Sequence, residues 1–308
     1  MSKYIIKRVF GVIGTMLLVS VVAFLFIHLI PGDPARILAG EKAPMETVEA
    51  IRKNMGLDDP LILQYFRWIG NIIFHGDFGT SFRNSSPVLA EIATKYPNTL
   101  KMAVAALIWS VIAGILTGVY TAVHAGKWQD YVGVTAAVIG QAVPEFWVGL
   151  MLIFLFGVKL HWLPVSSANG GLKGMIMPAF TLGAWLWATV ARYTRSAMLE
   201  TLRDDYIRTA RAKGLAENKV IWKHAFRNSL ISVVTIIGVS FGDLLGGAVL
   251  VESVFAFPGI GTLLINSISY RDYAVVQALI LIISAHYVII NFIVDIFYAV
   301  INPEIRYT

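Results

Sequence analysis

Apolar residues in this chain come in long runs that no formal charge interrupts. After Lys3, Lys7 and Arg8, residues 9–30 carry none, and as a helix they reach about 33 Å, enough to cross a hydrocarbon core of about 30 Å. Further runs predict helices over 98–123, 132–158, 174–191, 229–251 and 274–300. Pro144-Glu145 interrupts the third, while Asp243 lies in the fifth and Asp295 near the end of the sixth. The first run is longer than a signal-peptide core and ends in Ile30-Pro31-Gly32-Asp33 without a small-x-small site, so it is read as an uncleaved helix. The pattern predicts an all-α integral membrane protein with six transmembrane helices.

Composition strengthens that reading. The 308 residues are 57% hydrophobic and 14% charged, with a mean hydropathy of +0.69. Soluble domains carry roughly a quarter charged residues, so an ordinary soluble enzyme is excluded, as is a disordered chain. The net charge of +6 is read as topological rather than as a nucleic-acid footprint. Fourteen of the 25 Lys and Arg fall on one proposed side: before the first helix, at Lys127, within 192–227 and at Arg306. The short loops opposite hold Lys159, Lys173 and Arg271, with Lys101 at a helix start. This bias predicts cytoplasmic N- and C-termini. Trp128 and Trp162, at span ends, suit interfacial anchoring or plain lipid-facing packing. The absence of Cys removes disulfides, thiolate metal sites and Cys nucleophiles. His28 and His286 lie on apolar faces and read as packed residues, and no metal-ligand spacing occurs.

Two segments outside the spans break the up-and-down pattern and divide the chain into 1–30, an outer subdomain over 31–97, and a core over 98–308. In the outer segment, Val48, Ile51 and Met55 recur at helical spacing within 46–55, and a second short helix is predicted over 61–73. Gly76-Asp77-Phe78-Gly79-Thr80-Ser81 then forms a glycine-bracketed loop. Asp77, Phe78, Gly79 and Ser81 are candidates for docking a binding protein or cargo, with a protective lid as the alternative. The second segment, 192–228, carries a net +5: nine cations against Glu200, Asp204, Asp205 and Glu217. Acids before Tyr206, cations through Lys213 and a stop at Gly214 predict a short helix over 206–213 with a complemented dipole. A second polar helix is predicted over 217–227. The pair makes a stiff cytoplasmic knob, or else a solvated loop resting on anionic lipid.

These residues resemble a known family. Asp205-Tyr206-Ile207-Arg208-Thr209-Ala210-Arg211-Ala212-Lys213-Gly214-Leu215, then Lys223-His224-Ala225-Phe226-Arg227-Asn228, is similar to the "EAA" coupling loop of permease subunits in ATP-binding-cassette (ABC) importers. The likeness extends to Ile30-Pro31-Gly32-Asp33-Pro34, to the loop at 76–81, to Phe255, Phe257-Pro258-Gly259-Ile260-Gly261, and to Asn302-Pro303 with Ile305-Arg306. It points to the dipeptide/oligopeptide/nickel branch, nearest in look to the glutathione and dipeptide permeases. Where the general motif has Glu-Ala, this chain has Arg208-Thr209, so its contact chemistry follows the peptide branch.

The resemblance implies a type I importer permease fold in the bacterial inner membrane, moving small peptides inward, with nickel or a metal chelate as the alternative cargo. It implies a second homologous permease, two ATPase subunits carrying ATP and Mg, and an extracytoplasmic binding protein, with no cofactor on this chain. Asp205, Tyr206, Arg208, Thr209, Ala210, Arg211, Lys213, Gly214 and Leu215 would receive ATPase motion, Ala210 and Gly214 by permitting close approach. No Gly-x-x-x-x-Gly-Lys-Ser/Thr is present, so no P-loop hydrolyses ATP here.

Glu145, Asp243, Glu252, Asn291 and Asp295 are translocation-path candidates, because polar side chains within spans face a cavity or a partner. Structural pairing is the competing role, with Arg192 or Arg195 as partners for Asp295. Gly242, Gly246 and Gly247 would allow close helix approach. A self-contained channel or secondary transporter is the alternative of another class. It accounts for the spans and intramembrane acids but not the knob, and no internal repeat accompanies it.

Overall fold

The computed structural model describes residues 2–29, 33–40, 42–54, 56–169 and 171–301. Ile30-Pro31-Gly32, Met55, the chain ending from Asn302 and the side chain of His28 lie outside that description. Helices dominate: α1 (Ser2–Leu29), α2 (Pro34–Ala39), α3 (Met45–Asn54), α4 (Leu61–Gly70), α5 (Val88–Val123), α6 (Trp128–Ala142) and α7 (Glu145–Leu152). They continue with α8 (Leu172–Thr201), α9 (Asp205–Ala212), α10 (Glu217–Lys219), α11 (Phe226–Phe255), α12 (Ile260–Ser269) and α13 (Tyr273–Ile301). Five helices are long and apolar enough to cross a membrane, and a sixth span results if α6 with the segment Glu145–Lys159 counts as one.

That third span is broken, not merely interrupted: its halves meet at 104°. Val143 and Pro144 adopt extended backbone there, as expected where proline lacks an N–H and clashes with the preceding turn. The other helices overrun their charge-free cores. Helix α5 starts at Val88 rather than Asn98 and includes Pro97. Its 36 residues extend about 54 Å, well beyond a bilayer core. Helix α8 continues past Ala191 to Thr201. The predicted helix at 217–227 is not separate: a π-helical stretch, Val220–Ala225, joins α10 to α11. Charge-free runs locate the lipid-embedded part of a helix, whereas its backbone hydrogen bonds continue into water.

The packing centre is α5 against α8, with α11 closing the other side. Gly114 and Gly118 sit one turn apart on α5. A Cβ at Gly118 would lie 2.6 Å from the Ala191 carbonyl oxygen and 2.5 Å from Thr194 Cβ. One at Gly114 would lie 2.8 Å from Val190 Cβ. Gly183 reciprocates from α8, leaving room for Trp109, whose indole donates to the Ala179 carbonyl at 2.8 Å. Helices in lipid associate through such close approach, which water does not drive there. Met102, Leu182, Leu186, Val251 and Phe255 fill the core beside this seam.

The outer segment packs on the first span: Ser20 hydrogen-bonds Tyr65 at 2.7 Å, and Phe24 meets the Tyr65 and Trp68 rings. We predict that Gly118→Leu destabilises the detergent-solubilised protein by about 1–3 kcal/mol through overpacking. Gly14→Ala, with open space around it, should leave the thermal midpoint nearly unchanged. Thermal unfolding of both variants checks this.

Candidate functional site: a coupling helix and a polar cavity

Helix α9 shows why its residues are spaced as they are. Ile207 is 0% exposed and Ala210 is buried, packed with Val119 of α5, Met198 of α8, and Val220 and Ala225 of the π-helical stretch before α11. The opposite face is polar and open: the Arg208 side chain is 78% exposed and Asp205 95%. Their 3.5 Å contact is a surface pair of little energetic weight. Gly214 follows with φ +75° and no atom within 4 Å of a hypothetical Cβ, the left-handed stop expected for this position.

Two expectations change. Ala210 faces the permanent core, so its small size serves packing within this chain; of the two small residues, Gly214 is the one open to an outside partner. Arg211 is not simply a free contact either. It grips Glu217 across the turn, Nη2 to Oε1 at 2.7 Å and Nε to Oε2 at 3.2 Å, tying α9 to α10. The adjacent guanidinium holds the Glu217 carboxyl below its ordinary range. Tyr206 points its hydroxyl at the His224 carbonyl, and Leu215 packs partly under the knob.

A polar cavity of about 580 Å³ lies between α6, α8 and α11. Arg192, Arg195, Gln141, Thr189, Ser240 and Asp243 line it together with Trp185 and Tyr193. Arg195 is neutralised by Asp130 in a two-point pair, Nε to Oδ1 at 2.6 Å and Nη2 to Oδ2 at 2.8 Å. Asp130 also accepts the Gly126 N–H at 3.0 Å.

The model of the family described as "binding-protein-dependent transport system inner membrane component" matches residues 114–307, and that of its N-terminal part matches residues 1–103. The chain belongs to this family of ABC importer permeases. It is 46% identical over 307 residues to the glutathione transport system permease protein GsiC of Escherichia coli K12, covering 100% of each chain. Identity to the protein of that name from Salmonella paratyphi A is 45%, again covering 100% of both. A solved amino acid ABC transporter with histidines superposes with a TM-score of 0.55 at 15% identity, covering 68% of this chain and 94% of that one; this likeness concerns the fold. The protein is a multi-pass membrane permease.

The permease distributes its remaining candidate residues unevenly. Glu252 is 0% exposed. Its carboxylate accepts from Thr99 Oγ1 at 2.5 Å, Gly261 N at 2.7 Å and Thr262 N at 3.1 Å, joining α5 and α11 to the start of α12. A Cβ at Gly259 would lie 2.1 Å from Glu252 Oε1. The two glycines of Phe257-Pro258-Gly259-Ile260-Gly261 therefore make room for a buried carboxylate, and this geometry gives Glu252 a structural partner set rather than a cavity wall. Glu145 begins α7 and packs against Gly247, away from the cavity lining. Asn291 rests on Gly242, whereas Gly246 is open. Asp295 pairs with Arg8 of α1 at 2.7 Å, not with Arg192 or Arg195, which point into the α6–α8–α11 cavity.

The outer loop likewise turns partly inward. Asp77 is exposed and accepts the Gly79 N–H at 2.8 Å. Phe78 packs with Val88, Ile260 and Val275, and buried Ser81 donates to Asp272 between α12 and α13. Phe78 and Ser81 thus fasten the loop to the core, leaving Asp77 and Gly79 as its open positions. Arg192, Asp130 and Asp272 escaped the site reading; Arg192 and Asp130 flank predicted spans, and pairing across helices has no local sequence signature.

Arg211→Glu should speed amide hydrogen exchange across 211–219, because it sets two carboxylates against each other. Arg208→Glu should not. A carboxyl with a lowered folded pKa contributes stability above its ordinary range, about 4.3 for Glu, and loses it as pH falls through the lowered value. After correction for intrinsic rates, the wild-type turn should therefore stay protected at pH 5 and loosen only under more acidic conditions.

Proposed function

We propose that this permease carries short peptides of the glutathione and dipeptide class into the cytoplasm. It does so as one half of a translocation path whose other half is a second, homologous permease. Two ATPase subunits supply ATP hydrolysis with Mg, and an extracytoplasmic binding protein delivers cargo. Full-length similarity to permeases named for glutathione transport carries the cargo class. For energy coupling, support comes from α9: Ile207 and Ala210 anchor it to three spans, while Asp205, Arg208 and Thr209 face outward. A short helix held this way passes ATPase closure to the spans as rigid-body motion. The excess of Lys and Arg around α9 and before α1 supports cytoplasmic termini. The outer segment, 31–97, guides cargo or receives the binding protein through its open surface near Asp77.

Reconstitution with all partner subunits tests this reading. Gly214→Val forces a branched side chain into left-handed backbone at a local cost of about 1–2 kcal/mol, and Arg208→Glu reverses an exposed contact charge. Both variants should insert normally yet hydrolyse ATP with most of the coupled peptide uptake lost. Wild-type uptake in both would overturn the coupling role. ATP-driven uptake of nickel but of no short peptide would overturn the cargo class.

A further inference from the structure

The cavity between α6, α8 and α11 contains two charges with no ion pair among the described residues. Arg192 makes no ion pair among the described residues; its Nη1 donates to the neutral Gln141 amide oxygen. Asp243, on the α11 wall, has neither ion pair nor hydrogen bond among those residues. The neighbouring Arg195 is fully paired with Asp130, so the fold neutralises charge here where no other role requires it. Both side chains are exposed along the cavity wall, so each charge is open to a ligand group of opposite sign.

Arg192 is also held in place. Gln141 Nε2 donates to Thr189 Oγ1 at 2.9 Å, and Thr189 donates to the Trp185 carbonyl at 3.0 Å. This relay fixes the amide oxygen that receives Arg192 and leaves the guanidinium's Nη2 and Nε edge free. Such an edge matches a carboxylate through two parallel hydrogen bonds. The 580 Å³ volume falls within the range of small-ligand sites, about 300–1,000 Å³, and Trp185 and Tyr193 add aromatic surface.

We propose that this cavity is a way-station for zwitterions, in which Arg192 binds the free α-carboxylate of a short peptide and Asp243 binds its free α-ammonium. The assignment rests on the peptide-import reading and adds the groups recognised within the permease. It also places recognition next to the drive, because α8 runs from Arg192 through Met198, which packs under α9.

The complete transporter, purified without its binding protein, is titrated with a labelled tripeptide and with its C-amidated and N-acetylated forms. Wild type should prefer the free peptide over either blocked form by about tenfold or more, the value of a charge-assisted contact. Arg192→Gln should erase discrimination against the amide while retaining that against the acetyl form. Asp243→Asn should do the reverse. A general packing defect would weaken all three ligands alike, and that result, or unchanged selectivity in both variants, would overturn the site. Binding-protein-dependent peptide uptake is measured in parallel. If it persists while selectivity is unaltered, the site fails and peptide import stands; if no peptide is imported, both fall.

Discussion

The seam between α5 and α8 constrains everything else in this permease. Hydrocarbon gives apolar helices no reason to prefer one another over lipid, so cohesion must come from close contact. Gly114 and Gly118 on one helix and Gly183 on the other supply it by removing the Cβ atoms that would hold the backbones apart. With the seam closed, Trp109 reaches the Ala179 carbonyl and stacks on Phe180 at 4.6 Å. The C-terminal ends of α5 and α8 then stand near α9, offering Val119 and Met198 as the floor on which it rests. Helix α9 is short and mostly polar, and it holds its position because of that floor.

Beyond the seam, buried carboxylates do the fastening. Glu252 gathers α5, α11 and α12 around one fully satisfied carboxylate, and Asp272 draws in the outer loop through Ser81 and the Phe82 N–H. Each accepts several hydrogen bonds, the condition under which a buried acid holds structure rather than straining it. Asp243 has no such partners among the described residues. This difference, rather than membrane depth, separates the acids that bind the fold together from one that is open to the cavity between α6, α8 and α11.

Much of this architecture was legible in the residue pattern. Charge-free runs locate every span, and the acid–cation–glycine order around 204–214 locates α9 to within a residue at either end. The glycine stop at Gly214 carries its positive φ. What the pattern did not reveal depends on pairing across helices. Pro97 reads as a helix breaker, yet α5 passes through it, with Asn98 and Thr99 of the next turn bonded to Pro258 and Glu252. Helix α12 has only ten residues, below the length at which periodicity speaks clearly. Arg211 looked like an outward contact because its partner lies beyond a turn, and Arg192 looked like one more retained cation because the Gln141–Thr189 relay forms only when α6 meets α8.

If α9 is held by this floor, α9 and the α5–α8 seam should move as one body. Because the chain has no native Cys, paired spin labels can be placed at Arg208 on α9 and at exposed Val123, the last residue of α5, without removing any native Cys. Their distance is measured by pulsed electron resonance in the complete transporter, nucleotide-free and then trapped with ATP. The account predicts the same narrow distribution in both states while α9 shifts relative to labels on the partner permease. A change of several ångströms, or a broad distribution in either state, would show that the coupling helix moves on its own and would contradict it.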